Sequence, residues 1–267
     1  MAVISVIMGV YNQKNAGQLK QAVDSVLEQT MQDLEFLICD DGSDAEGAAV
    51  IREVCSGDPR ILLFRESRNR GLAQALNHCI AQAGGEYIAR MDADDICLPD
   101  RLERQYAYLR QHPDIGYVGC GAELFDDNGV WGNRRMPKKP SAEDYLRYSP
   151  FIHPSVMFRT GVLKQAGGYR AAEDTARCED YDLFLRLYLA ECYGYNLPDI
   201  LFRYREDRKS YQKRTFRSRI REMTVRRRYF RKLPAPGYKR LIYTMRPLAA
   251  ALIPGRVIRM VRRVIHE

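Results

Sequence analysis

Short apolar runs alternate with helical patterns through the first hundred residues. Val3–Met8 is a β-branched run of strand length, followed by a loop and a segment in which Leu19, Ala22, Val23, Val26 and Leu27 share one helix face. Leu34–Cys39 repeats the strand pattern, Asp44–Cys55 reads as a helix and Ile61–Phe64 as a third strand. Leu72, Ala75, Leu76, Cys79, Ile80 and Ala83 mark another helix face, stopped by Gly84-Gly85 before a strand at Glu86–Met91. Strands and helices in alternation predict an α/β layered domain with a largely parallel sheet. In such sheets ligands bind beyond the carboxyl ends of the strands. Tyr11-Asn12, Asp40-Asp41 and Asp92-Ala93-Asp94-Asp95 all fall at such ends.

From about 115 to 202 the pattern loosens. Asp127-Asn128-Gly129 reads as a hairpin turn, Pro137-Lys138-Lys139-Pro140 as a break, and Glu179-Asp180-Tyr181-Asp182-Leu183 as the start of a helix running to about 192. Further on, Tyr238, Leu241, Ile242, Met245, Leu248, Ala249, Leu252 and Ile253 keep helical spacing around Pro247. Val257, Ile258, Val261, Val264 and Ile265 do the same among four arginines, so both segments read as basic amphipathic helices.

Charge divides the chain at the same place. The total of +8 hides 21 basic and 30 acidic side chains in residues 1–202 against 21 basic and 4 acidic in residues 203–267. An acidic body carries a basic tail. The composition, 46% hydrophobic and 28% charged, is globular and excludes a disordered or fibrous chain. Seven scattered cysteines, never spaced as CxxC, fit neither a disulfide framework nor a zinc motif and suggest a reducing cytosol. The start lacks the positive region and cleavage site of a signal peptide, and no run approaches the roughly 18–20 apolar residues of a spanning helix.

Three acidic clusters carry candidate chemistry. Asp92 and Asp94, separated by one small residue at a strand end, can both reach a hard divalent cation; the bland alternative is a loop capping the helix that begins near Pro99-Asp100. Asp40 can accept the imide N–H of a pyrimidine, with Gly42 allowing close backbone approach, or Asp40–Ser43 is an ordinary turn leading to a helix N-cap at Ser43 or Asp44. Tyr11 could stack on a base or simply pack. Glu179-Asp180 at a helix start offers a carboxylate kept ionised by the helix dipole, as a general base requires, or a plain first-turn acid. His78, His112, His153 and His266 are too dispersed for a metal cluster.

The order of the motifs goes further than any one of them. Val3–Asn12, Asp40-Asp41-Gly42-Ser43, Asn69-Arg70-Gly71 with Ala75 and Asn77, Gly85–Asp95, and Glu179–Leu183 closely resemble the family 2 inverting glycosyltransferases of GT-A fold over about residues 1–205. The resemblance implies a nucleotide-sugar-binding half at 1–115, an acceptor-binding half at 116–205 and a basic helical tail at 206–267. It implies that Gly9, Val10, Tyr11 and Asn12 flank the base, Asp40 reads its N–H, and Arg70, Asp92 and Ala93 line the nucleotide-sugar site. Asp94, with Asp92, would hold Mn2+ or Mg2+, Asp95 being the next candidate ligand. Asp180 would be the base, and Glu179, His153 and Ser155 would border the acceptor. The chain departs from many relatives in one respect: Phe202-Arg203-Tyr204-Arg205-Glu206 has no histidine to add a metal ligand, and leaves Arg203, Arg205 or a neighbouring cation to meet the diphosphate.

The implied activity is inverting transfer of a sugar from a nucleotide-diphosphate donor, with UDP favoured by family usage, to a hydroxyl of a glycan or lipid-linked acceptor in cell-surface polysaccharide synthesis. The different-class alternatives are a non-catalytic sugar-nucleotide-binding or assembly protein, against which Asp40, Asp94 and Asp180 argue, and a nucleotidyltransferase, disfavoured because Gly9–Gln13 is no phosphate loop. Arg226-Arg227-Arg228 has no nucleic-acid-binding motif around it, so no nucleic-acid partner is expected. The tail is expected to touch an anionic membrane surface from the cytoplasmic face of the inner membrane, the alternative being a helical lid on the acidic body.

Overall fold

The computed structural model describes residues 2–206 and 215–251. Its first half runs β1 (Ile4–Val10), α1 (Ala16–Leu27), β2 (Leu34–Asp40), α2 (Ala45–Val54), β3 (Ile61–Arg65), α3 (Leu72–Gln82) and β4 (Tyr87–Arg90). The second half contains β5 (Ile96–Cys97), α4 (Arg101–Gln111), β6 (Tyr117–Asp126), β7 (Gly129–Arg134), α5 (Ala142–Arg147), β8 (Met157–Arg159), α6 (Thr160–Gln165), α7 (Glu179–Leu189) and β9 (Gly194–Arg205). Two helices of the basic tail follow, α8 (Phe216–Phe230) and α9 (Gly237–Ala251). The helix expected over 257–265 lies outside the described residues.

One sheet joins both halves in the order β3-β2-β1-β4-β8-β6-β9-β5, with β7 hydrogen-bonded to β6. The first four strands are parallel, as their alternation with helices predicts. Beyond β4 the sheet turns mixed: β8 runs antiparallel to both β4 and β6, β9 parallel to β6, and β5 antiparallel to β9. The expected hairpin is present, β6 returning as β7 from Gly129, whose φ of +114° suits a glycine.

Strand alternation sends successive side chains to opposite faces and so builds two cores. Val6, Met8, Phe36, Ile38 and Ala89 face α1, α2 and α4 through Leu19, Val23, Val26, Ile51, Leu102 and Leu109. Ile7, Leu37, Cys39 and Ile88 face α3 and α7 through Ala75, Leu76, Leu183 and Phe184. Asn15 and Asp44 cap α1 and α2 by accepting the N–H groups of Gln18 and Gly47. All seven cysteines are free thiols.

The tail's α8 belongs to this second core. Val225, Tyr229 and Phe230 are buried in it, Tyr229 Oη donates to Asp182 Oδ1 at 2.7 Å, and Arg228 pairs with Asp174. Arg226 is 3% exposed, with Nη1 donating to the Leu146 carbonyl at 2.7 Å. Arg226 and Arg228 belong to the Arg226-Arg227-Arg228 run of the basic tail. Arg226 can be buried because the Leu146 and Tyr243 carbonyls and the Glu222 carboxylate accept from its guanidinium. No helix of the described residues is long and apolar enough to cross a membrane.

Candidate active site

The ends of β1 and β2 are tied into one rigid ledge. Val10 and Asp40 are register partners, and the Asp41 N–H donates to the Val10 carbonyl at 2.8 Å. Asn12 adopts φ of +48°, a left-handed conformation in which its N–H donates to Ser43 Oγ at 2.9 Å and its Oδ1 accepts the Asp44 N–H at 2.8 Å. Asp40 is buried, with Oδ1 accepting the Ser43 N–H at 2.9 Å and Oδ2 3.5 Å from Arg65 Nε. Asp41 accepts the backbone N–H groups of Arg70 and Gly71, both at 2.8 Å, and so pins the loop after β3 over this ledge. The loop comes so close that a Cβ on Gly42, at φ +69°, would lie 2.3 Å from the Arg68 carbonyl carbon. Tyr11 is 51% exposed at the rim, available as a stacking surface.

The end of β4 gathers the acidic cluster. Carboxylate oxygens of Asp92, Asp94 and Asp95 lie within 4.8 Å of one another. None of them caps a helix: α4 begins at Arg101 after Asp100, whose side chain makes no capping bond. Asp95 is buried, its Oδ1 accepting the Arg205 N–H at 2.7 Å and its Oδ2 having no hydrogen-bond partner. Burial and the charges of Asp94 and Asp92 push the Asp95 carboxyl well above the usual carboxylate range. An all-oxygen donor set with an orphaned buried oxygen fits a hard divalent cation, which would relieve that repulsion. Arg205 buttresses the cluster from β9, Nε donating to the Asp94 carbonyl at 3.1 Å.

One buried cation organises the space beside these aspartates. Arg90 is 1% exposed; its Nη1 lies 2.5 Å from Asp92 Oδ2, while Nε has no hydrogen-bond acceptor. Arg101, itself fully buried, fixes the strand end by donating from Nη2 to the Arg90 carbonyl at 2.9 Å. Glu179 and Asp180 open α7. Burial raises both carboxyls, and Arg90 together with backbone N–H groups pulls them back toward the ionised form. Glu179 is buried with Oε2 lacking a hydrogen-bond partner; Asp180 is half-buried, Oδ2 accepting from Ser149 Oγ at 3.4 Å. His153 Nε2 lies 2.7 Å from Tyr169 Oη, and its pKa is held well below the usual imidazole value by burial and by Arg90. Tyr169 is set in place by Asn77, which exchanges two hydrogen bonds with its backbone at 2.7 and 2.8 Å.

The sequence-expected residues therefore sort unevenly. Tyr11, Asn12 and Asp40 form one part, and Asp92, Asp94, Asp95, Glu179, Asp180 and His153 form another, joined electrostatically through Arg90. Ala93 packs, half-buried, against the first core. Ser155 is fully buried and donates from Oγ to the Ile152 carbonyl at 2.8 Å, so its hydroxyl is engaged by the backbone beneath His153. Gly9 sits beneath α3, where a Cβ would meet Leu72 Cδ1 at 3.0 Å and Ala75 Cβ at 3.2 Å, so its small size serves helix packing. The Val10 side chain is buried in the core. Arg70 is anchored by its backbone, with its guanidinium 3.7 Å from Glu66; Arg203 pairs with Glu123 at 2.6 Å. The sequence assigned no role to Arg90 or Tyr169, and marked Asp41 only as part of a polar strand-end cluster. The signal for Arg90 was an arginine inside an otherwise apolar strand, two residues before Asp92.

This sheet order, with an acidic cluster closing the fourth strand and an acidic pair opening a later helix, defines a GT-A glycosyltransferase. Comparison with known proteins agrees. The model of "Glycosyl transferase family 2" matches residues 5–166. The chain is 36% identical over 257 residues to the "Putative glycosyltransferase EpsE" of Bacillus subtilis (strain 168), covering 95% of this chain and 91% of that one. It is 35% identical over 216 residues to the O-antigen biosynthesis glycosyltransferase WbnJ of Escherichia coli, covering 79% and 82%. Among solved structures, the mannosyltransferase PcManGT from Pyrobaculum calidifontis, in complex with GDP-Man and Mn2+, shares the fold at TM-score 0.67 and 20% identity over 98% of this chain and 80% of that one. The chain belongs to glycosyl transferase family 2.

Proposed function

We propose that the enzyme moves a sugar, with inversion, from a nucleotide-diphosphate donor to a hydroxyl of a glycan or lipid-linked acceptor in cell-surface polysaccharide synthesis. The observation that carries this reading is the arrangement around Arg90: three converging carboxylates at the end of β4 and the Glu179-Asp180 pair, both under the influence of one buried guanidinium. Asp40 and Tyr11 are assigned to the base, Asp40 accepting the N–H that uracil and thymine share, and UDP is the preferred donor carrier on family usage. Asp92 and Asp94 are the ligands assigned to Mn2+ or Mg2+, with Asp95 behind them. A cation bound there supplies positive charge to the departing diphosphate.

Asp180 takes the proton of the acceptor hydroxyl, whose oxygen attacks the anomeric carbon opposite the diphosphate. The bond from that carbon to the phosphate oxygen breaks, and configuration inverts in one displacement. The conflict at Asp180 between burial and Arg90 suits a base that must be ionised yet accept a proton. Glu179 and His153 border the acceptor. The relatives' roles in O-antigen biosynthesis and mannosyl transfer support this reading and widen the donors worth testing to GDP-sugars.

The tail is assigned to an anionic membrane surface through α9. Tyr238, Leu241, Ile242 and Met245 are exposed on it at helical spacing, beside a strongly basic sequence. On this reading the enzyme works peripherally on the cytoplasmic face of the inner membrane, where a lipid-linked acceptor would be met. Flotation with anionic and neutral vesicles tests it: binding only to anionic ones, lost in the Leu241→Glu/Ile242→Glu variant, is expected, and equal behaviour in both vesicle types refutes it.

A panel of UDP- and GDP-sugars with Mn2+ or Mg2+, scored for sugar-nucleotide hydrolysis and transfer, tests the chemistry. Asp180→Asn is expected to keep donor binding and lose transfer by about 10²–10⁴-fold, the usual contribution of a general base. Asp94→Asn is expected to weaken metal-dependent donor binding instead. Normal turnover by Asp180→Asn defeats the assigned base.

A further inference from the structure

A second cluster of ligand-type side chains lies beneath α3, apart from the aspartates of β4. One ligand atom each from Cys39, Glu66 and His78 lies within 4.8 Å of the others. Three elements bring them together. Cys39 points from β2 into the α3 face of the sheet and is fully buried. Glu66 follows β3, its N–H donating to the Asp40 carbonyl at 2.8 Å. His78 lies on α3, its ring 4.9 Å from that of Phe64 and its Nδ1 2.7 Å from Glu66 Oε1. Cys79, the next residue of α3, turns its thiol toward the Leu37 and Met8 carbonyls, 3.5 and 3.8 Å away.

A thiol, an imidazole and a carboxylate form a donor set unlike the all-oxygen cluster at β4. Sulfur and nitrogen donors select borderline-soft ions, whereas carboxylates alone suit Mg2+ or Mn2+. A tetrahedral Zn2+ holds sulfur at about 2.3 Å and nitrogen at about 2.0 Å, and three protein ligands leave its fourth position to water. The ion also has a way in, because Glu66 and His78 are 17% and 31% exposed at the side chain.

We propose that Cys39, Glu66 and His78 form a zinc-class metal site separate from the Asp92–Asp95 cluster. Binding exchanges the Cys39 thiol proton for the cation and releases it to solvent, leaving the charge of the ion balanced by one thiolate and one carboxylate. The ion would fasten α3 to the end of β2 and draw Glu66 away from Arg70, which now lies 3.7 Å from it. The site stands independently of the transfer reaction.

Co2+ and Zn2+ titration of the full-length protein tests the proposal. One equivalent of Co2+ should give a near-ultraviolet thiolate-to-metal charge-transfer band that Zn2+ displaces, and Zn2+ should raise the melting temperature. Cys39→Ser and His78→Asn should each lose both effects, and Asp94→Asn should keep them. His78→Asn, at a partly exposed position, supplies the readout if Cys39→Ser fails to fold. Absence of the band in the wild-type chain, its survival in His78→Asn, or its loss in Asp94→Asn overturns the proposal.

Discussion

Phe230 joins the basic tail to the helix that carries the assigned base. Its side chain is 1% exposed, its ring meets that of Tyr181 edge-on at 6.5 Å, and the Arg226 guanidinium lies 5.4 Å from its centroid. Phe230→Ala removes a whole benzyl group from a core in which Arg226 cannot readily move, because its guanidinium is held by Glu222, the Leu146 carbonyl and the Tyr243 carbonyl. The cavity therefore stays largely open, and the cost is about 3–5 kcal/mol, as for other buried aromatic truncations. Against a total of about 5–15 kcal/mol this is a large share. Urea unfolding of the full-length chain, followed by circular dichroism, should show a lower midpoint at unchanged slope. Phe230→Leu, which keeps most of the volume, should lose less than about 1.5 kcal/mol. Since Tyr181 follows Asp180, turnover should fall in Phe230→Ala more than donor affinity does. A loss below about 1 kcal/mol in Phe230→Ala would refute the packing of α8 on the body.

Three further tests address the site. Arg90→Met should shift the acidic limb of the pH–rate profile upward: turnover needs ionised Asp180, burial raises that carboxyl and Arg90 lowers it, so without the guanidinium a higher pH is required; an unmoved limb in a folded variant would show that Arg90 does not reach the base. Gly42→Ala should weaken donor binding and cost at least about 1–2 kcal/mol of stability, since its left-handed backbone opposes a Cβ; calorimetry with the donor nucleotide and thermal melts check it. Ser155→Ala should lower stability by about 1 kcal/mol, the worth of a buried hydrogen bond, with the acceptor KM unchanged; a raised acceptor KM at unchanged stability would instead set Ser155 against the acceptor.

Local pattern was enough for much of the molecule. The alternation of apolar runs in the first ninety residues is a short-range property, and β1 to β4 with their helices form where it predicts, within a residue or two. The acidic clusters were also legible, because turns and strand ends bring neighbouring residues together without help from the rest of the chain. The order of those clusters along the chain was enough to reveal the family, and family membership carries the fold.

Long-range packing decided the rest. Nothing local says that β8 inserts antiparallel between β4 and β6, since β8 has only three residues and its partners are far away in sequence. What surrounds a motif residue depends on distant packing: Gly9 lies close under α3 and the Ser155 hydroxyl is bonded to the Ile152 carbonyl, and neither follows from the motif itself. The basic tail shows the same limit most clearly. Its charge and its periodicity are properties of the chain, but Arg226 is buried because carbonyls and a carboxylate of distant and nearby turns happen to meet it, while Leu241 and Ile242 stay exposed because no described element covers them. Composition determines how many cations the chain carries; only tertiary contacts determine which of them face inward.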